Sequence, residues 1–342
     1  MTTAGTFVFT VNAADIVREG MLNIGAIGEA EVPTAQEYND SLRKLNMMVK
    51  QWMGKQDFAP GLKMWSRQRA TLFLGYSKFQ YQLGPTGDNW AAGVTGGNFN
   101  QLANRTQLTN IANAGATSIT VTSIAVINPN DYIGIQYTTA AGNQDLFWTT
   151  VLGPPSGNTV NLATALPGIA NNNGYVWNYT TKAQRPLEIV TSLLRDVFQN
   201  DTPQNILTLN DYEMLPNKTQ PQFVSDPTSF YYESQIGSNT ATSNGQYYID
   251  CAGAQDVTKH LHIVYLRPVM DLNNPGDNPE YPQQWYRALC WGLSREICGM
   301  FDCPWTQDMQ ANYAESLGMA QEADAETTTF YFQPNSENAY GV

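Results

Sequence analysis

The chain has 342 residues, enough for one large core or two smaller ones, so a single small module is excluded. Hydrophobic residues make up 42% and charged residues only 14%, low against about a quarter in ordinary soluble domains; such a wet, weakly charged surface suits a protein covered by neighbours in an assembly, or a secreted β-rich protein. With 18 basic and 30 acidic residues the formal net charge is −12, the wrong sign for gripping nucleic acid through its phosphates.

The charge is uneven. Residues 1–78 carry nine basic and seven acidic side chains, whereas residues 270–342 carry two and eleven. No signal-peptide-like run opens the sequence, and no apolar stretch is long enough to cross a bilayer, so a soluble protein made in the cytoplasm, with no membrane partner, is expected. The four cysteines, Cys251, Cys290, Cys298 and Cys303, have neither paired CxxC spacing nor the density of a disulfide scaffold, and read as reduced, packed thiols.

In chain order, Asn12 can cap a helix with Asp15 at its third position; Ile16, Val17, Met21, Leu22 and Ile24 recur at helical spacing, and Gly25 can end it. A second helix starts at the Thr34-x-x-Glu37 capping box, carries Tyr38, Leu42, Leu45, Val49 and Trp52 as a stripe, and stops at Gly54. The short loop between the two predicts a helical hairpin. From Gly84 onward Gly, Asn, Thr and aromatic residues dominate, and 118–123, 132–138, 145–151, 159–163 and 175–179 read as short strands of a small β-sandwich or barrel. Further strands are predicted at 187–190, 230–233, 247–250 and 261–266. Two helices follow: one with Pro282 in its first turn and a Trp285, Leu289, Leu293, Ile297, Met300 stripe, and one capped by Thr306 with Met309, Tyr313, Leu317 and Ala320 on one side. The C-terminus, from Thr327 through Phe330, Tyr331 and Phe332 to Val342, is an aromatic strand-like segment in need of a partner.

Reactive chemistry has few parts here. His260 and His262 are the two histidines, and their spacing puts both rings on one face of a strand; without a third ligand of suitable spacing they read as polar strand residues rather than a metal site. There is no G-x-S-x-G elbow, P-loop or H-E-x-x-H, and no cofactor is expected. Asp211 with Glu213, and Glu296 with Asp302, are candidate carboxylate pairs for glycoside hydrolysis that read equally as solvated charge. Lys63, Trp65, Arg67, Arg69, Tyr76 and Lys78 interleave cations and rings as a single-stranded nucleic-acid groove does, yet they run into the β-prone 70–74 segment, which favours a structural role. Trp148 and Trp177 could stack on sugars, although rings in a β-sandwich are more often core.

Several stretches taken together resemble the head-to-tail adaptor (connector) proteins of short-tailed bacteriophages. They are the opening helix pair with Ile24-Gly25 and Leu45-Asn46-Met47-Met48 before Gln51-Trp52, then Gln184-Arg185-Pro186-Leu187, Asp211-Tyr212, and Leu215-Pro216-Asn217-Lys218. The 282–289 helix and the Ala323-Asp324-Ala325-Glu326 lead into the aromatic tail complete the set. The resemblance covers roughly 1–75 and 182–334. It implies an α+β fold: a helical bundle of about four helices with β segments as an adaptor core (1–83 and 182–326), an inserted β-sandwich or barrel domain (84–181), and an extended C-terminal arm (327–342).

It further implies a structural virion protein rather than an enzyme. About twelve copies would form a ring at the head–tail junction, assembled in the host bacterial cytoplasm. The ring would join the portal to the tail nozzle or next tail component, with tail fibres as a further contact of the insert, and double-stranded DNA would pass through without sequence-specific binding. Phe330, Tyr331, Phe332 and Tyr340 would be the portal-binding anchors. The competing classes are a virion-associated peptidoglycan- or glycan-cleaving enzyme and a carbohydrate-binding module.

Overall fold

The computed structural model describes residues 9–53, 65–92, 104–216, 223–234, 244–249, 252–254 and 256–324. In chain order these form α1 (Ala13–Asn23), α2 (Ala35–Trp52), β1 (Arg67–Phe73), β2 (Gln80–Leu83) and β3 (Trp90–Ala92). Next come β4 (Arg105–Gln107), β5 (Ser118–Thr120), β6 (Tyr132–Thr138), β7 (Gln144–Thr150), β8 (Thr159–Asn161) and β9 (Tyr175–Tyr179). Then follow β10 (Glu188–Arg195), β11 (Asp201–Pro203), β12 (Asn205–Ile206), α3 (Leu209–Glu213), β13 (Phe223–Ser225), β14 (Ser229–Glu233), β15 (Gly245–Ile249), β16 (Ala252–Ala254), β17 (His260–Leu266), α4 (Tyr286–Ile297) and α5 (Gln307–Ala323). The described residues are thus mixed α+β. The chain divides into two compact units, Met1–Ser66 with Val269–Val342, and Arg67–Pro268.

The first unit is helical. Asn12 accepts from the Asp15 amide at 2.8 Å while Asp15 accepts from the Asn12 amide, so the start of α1 satisfies two orphan donors reciprocally. Thr34 and Glu37 do the same for α2, and the Thr306 hydroxyl accepts from the Met309 amide at the start of α5. Gly25, with φ of +70°, follows α1 in the left-handed region that residues with a Cβ avoid. The apolar stripes meet in one core of Ile16, Met21, Leu45, Trp52, Trp285, Leu289 and Leu293, with the Trp52 and Trp285 rings 5.8 Å apart. Gly292 makes the close approach of α2 and α4 possible: a Cβ there would stand 2.7 Å from the Met48 sulfur and 2.9 Å from the Trp52 ring.

Two details differ from the sequence reading. Pro282 does not sit inside the helix but at the N-cap of a 3-10 turn, Gln283–Trp285, that leads into α4; with no capping side chain, the chain enters through the tighter turn. The stripe also ends at Ile297, and Met300, beyond α4, is 41% exposed.

The second unit is built of sheets. Its five-stranded sheet has the order β11-β10-β17-β1-β3, with β1 antiparallel to β17 from Arg67↔Leu266 to Phe73↔His260. The side chains of β17 alternate. Leu261, Ile263 and Tyr265 enter a core with Trp90, Tyr81, Phe230 and Tyr247, the last three contributed by the four-stranded sheet β12-β14-β15-β2. His260 and His262 take the opposite face and are equally buried, so β17 is a strand covered on both sides.

A third sheet, β4-β9-β6-β7, closes its own core with the β5–β8 pair around Val121, Ile133, Ile135, Val160 and Val176. Its other face presents Trp148, Trp177 and Tyr179 to Phe73 of β1, with ring centroids 4.8, 6.3 and 5.9 Å away. Gly134 opens room for this joint, since a Cβ would lie 2.5 Å from the Trp148 ring. Strands β6 and β9 have the bounds expected from sequence, whereas β2, β3 and α3 lie in stretches for which the sequence reading predicts no element. Residues 67–83, grouped with the helices in the sequence reading, supply β1 and β2 of this unit.

Candidate functional site

Charge is distributed unequally between the units. Met1–Ser66 with Val269–Val342 holds eight basic and eighteen acidic residues, a net of −10; Arg67–Pro268 holds ten and twelve, a net of −2. Within the helical unit, α5 contains Asp308, Glu315 and Glu322 and no basic residue. Their spacing of seven places them along one line of the helix, and all three are exposed, while Tyr313, Ser316 and Ala320 face the core. Glu315 has a basic neighbour, the Arg287 guanidinium of α4 at 3.4 Å with both groups half-exposed, a contact worth little in water. Glu296 and Asp302 are exposed at and beyond the end of α4. This acidic face was not singled out from sequence; the 308, 315, 322 spacing within a capped helix was the signal that could have found it.

The other candidates fall in different places. His260 and His262 do share a face, with ring centroids 5.0 Å apart and 1% exposure each. Burial, then the Arg195 guanidinium, pushes His260 down to about 4, with the Thr258 backbone opposing the shift. Burial, then the neighbouring His260 and Arg195, pushes His262 down to about 2. Arg195, itself buried, is held by Asp201 through two contacts of 2.6 Å across the β10–β11 pair, a partnership the sequence reading missed. Among the described residues no three His, Cys, Asp or Glu side chains stand close enough to hold a metal ion.

Trp177 is 1% exposed, and Trp148, half-buried, packs on Phe73, so both rings take part in the joint between sheets. Asp211 closes a capping box with Thr208 at the start of α3, and Glu213 follows it on the same short helix. Lys78 pairs with Asp88 and lies 5.0 Å over the Tyr81 ring, Arg67 and Arg69 are on β1, and Trp65 is 56% exposed; Lys63 lies outside the described residues. Cys290, Cys298 and Cys303 are free and half-buried, with burial pushing the Cys290 thiol up to about 12, while Cys251 lies outside the described residues. So do Phe330, Tyr331, Phe332 and Tyr340, the expected anchors, and the whole of 327–342. No helix among the described residues is long and apolar enough to cross a membrane. A scan against protein-family models and a search among curated proteins gave no match to this chain.

Proposed function

We propose that the protein is a structural component of a bacteriophage particle, a head-to-tail adaptor that assembles as a ring of about twelve copies between portal and tail. In this reading the ring body is a bundle of about four helices with its β segments, drawn from 1–83 and 182–326. Residues 84–181 form an inserted β-sandwich or barrel elaboration, free to meet tail fibres or the next tail component. Residues 327–342 form an arm whose Phe330, Tyr331, Phe332 and Tyr340 anchor on the portal, where rings give large contact area at small entropic cost.

The observation that carries the reading is the concentration of negative charge in the helical unit, with one exposed line of acids on α5. A channel lined in this way repels the phosphate backbone, so that packaged DNA slides instead of sticking. Repulsion of this kind acts within about 8 Å at physiological salt, so the lining need not be continuous to keep the duplex off the wall. No metal, cofactor or reacting pocket enters this function.

The test is to mix the purified protein with the portal ring of the same particle and image the product. Annular complexes are expected. Absence of any annular product would overturn the reading, and removal of Thr327–Val342 without loss of docking would take the anchor role away from the arm.

A further inference from the structure

We propose that the end of the β6–β7 hairpin and the loop before β9 form a binding site for a neutral glycan. Gln136 of β6, Gln144 of β7, and Asn171, Asn172, Asn173 and Gly174 line a shallow groove of about 240 Å³. Five side-chain amides from three separate stretches of chain converge there, and no charged side chain lines the groove. A phosphate, a carboxylate or a basic peptide would find no counter-charge in it. What the groove offers is a set of uncharged donors and acceptors. Each sugar hydroxyl is both donor and acceptor, and a carboxamide, with an N–H and a C=O side by side, matches two adjacent hydroxyls.

The amides are also held in place. The Gln136 Oε1 accepts from the Tyr175 amide at 3.0 Å, which leaves the Gln136 NH2 group without a partner among the described residues. Gln144 Nε2 and Asn171 Nδ2 both donate to the Thr138 hydroxyl, at 2.8 and 3.4 Å, which leaves Gln144 Oε1 and Asn171 Oδ1 open as acceptors. The loop itself is pinned: Thr138 N donates to Ile169 O, Asn173 N to Leu108 O and Leu108 N to Gly174 O, each at 2.8 to 2.9 Å. Asn173 is in the left-handed region with φ of +62°, a conformation Asn accepts more readily than most residues. Framework bonds of this kind reduce the ordering cost of binding.

The proposal does not depend on the ring, although a ring would repeat the site around its rim and multiply a weak affinity. The full-length protein is applied to a panel of neutral oligosaccharides, and the strongest retained one is titrated against the wild type and against Asn172→Ala, Gln144→Ala and Gln246→Ala, with thermal melts of each. Binding by the wild type, about tenfold weaker in Asn172→Ala and Gln144→Ala at unchanged melting temperature and unaltered in Gln246→Ala, is expected. Because Asn172 and Gln144 are exposed, at least one of the two variants keeps the fold. No retained oligosaccharide, binding indifferent to both groove variants, or equal loss in Gln246→Ala would overturn the proposal, as would retention of an uncharged peptide in place of every sugar.

Discussion

The helical unit and the sheet unit are both closed around buried aromatic side chains, yet they turn different chemistry to water. The helical unit carries −10 of the net charge of −12 and shows carboxylates along α5, whereas the sheet unit is close to neutral and is polar through amides such as Gln80, Gln82, Gln136, Gln144 and Gln246. The helical core comes from stripes that repeat within single helices, and the sheet core from strands such as β1 and β17 that are far apart in sequence. A charged face of fixed sign acts at a distance and without specificity; an amide face acts only on contact and by pattern. On the two proposals, the helical unit repels a polyanion and the sheet unit recognises a neutral surface.

Replacement of the central ring in each core bears hardest on this comparison. Trp285→Ala in the helical unit and Trp177→Ala in the sheet unit remove side chains that are 0% and 1% exposed, and each should cost about 3–5 kcal/mol in urea unfolding. A cost below 1 kcal/mol at Trp177 would mean that the joint to Phe73 does not hold the third sheet.

Acid should then act through the sheet unit. Both histidines have folded-state values below the ordinary 6.5, so the fold excludes the proton: their contribution is fully present above pH 6.5 and is lost as pH falls, through about 4 for His260 and toward about 2 for His262. Each contributes a slope of up to about 1.4 kcal/mol per pH unit between 6.5 and its folded value. Unfolding measured from pH 7 to 4.5 should show this loss, and His262→Phe should flatten the slope; an unchanged slope would contradict the burial of that ring. The pressure at this site is cationic from several strands, with Arg195 on β10, Arg69 on β1 and Arg105 on β4 facing the pair and Asp201 on β11 opposing them.

Smaller effects sharpen the picture of the helical unit. Gly292→Ala should destabilise by about 1–3 kcal/mol, because Trp52 and Met48 must move to admit the methyl group; a neutral result would show that α2 and α4 are not in close contact. Thr34→Ala should cost about 1 kcal/mol through the lost capping box, read by thermal unfolding.

The helical caps were legible because capping chemistry is local: Asn12 with Asp15, Thr34 with Glu37 and Thr306 with Met309 lie within three residues of each other. The β-prone runs bounded by Asn, Pro and Gly turns likewise located β6 and β9. The Thr208-x-x-Asp211 box carries the same kind of signal for α3, but the helix it starts is only five residues long, too short to show a periodic stripe. Strands β2 and β3 flank the turn-rich 84–89 stretch, whose Gly and Pro dominated the local pattern. The parallel pairs β12–β14 and β13–β16 join distant short segments and leave no periodic trace. The change of composition at Gly84 was visible, but the units divide at Ser66 and Pro268, because β1 finds its partner nearly two hundred residues later in β17. Of the surfaces, the acidic line on α5 is written in a simple spacing, whereas the amide groove exists only once β6, β7 and the 171–174 loop come together.

The most direct test of the adaptor reading is the mass of the assembled protein, followed by sedimentation velocity over a range of concentrations with and without the portal ring. The account predicts a closed species of about twelve chains on the portal. A protein that stays monomeric at every concentration beside that ring, and that cleaves a cell-wall glycan instead, would contradict it.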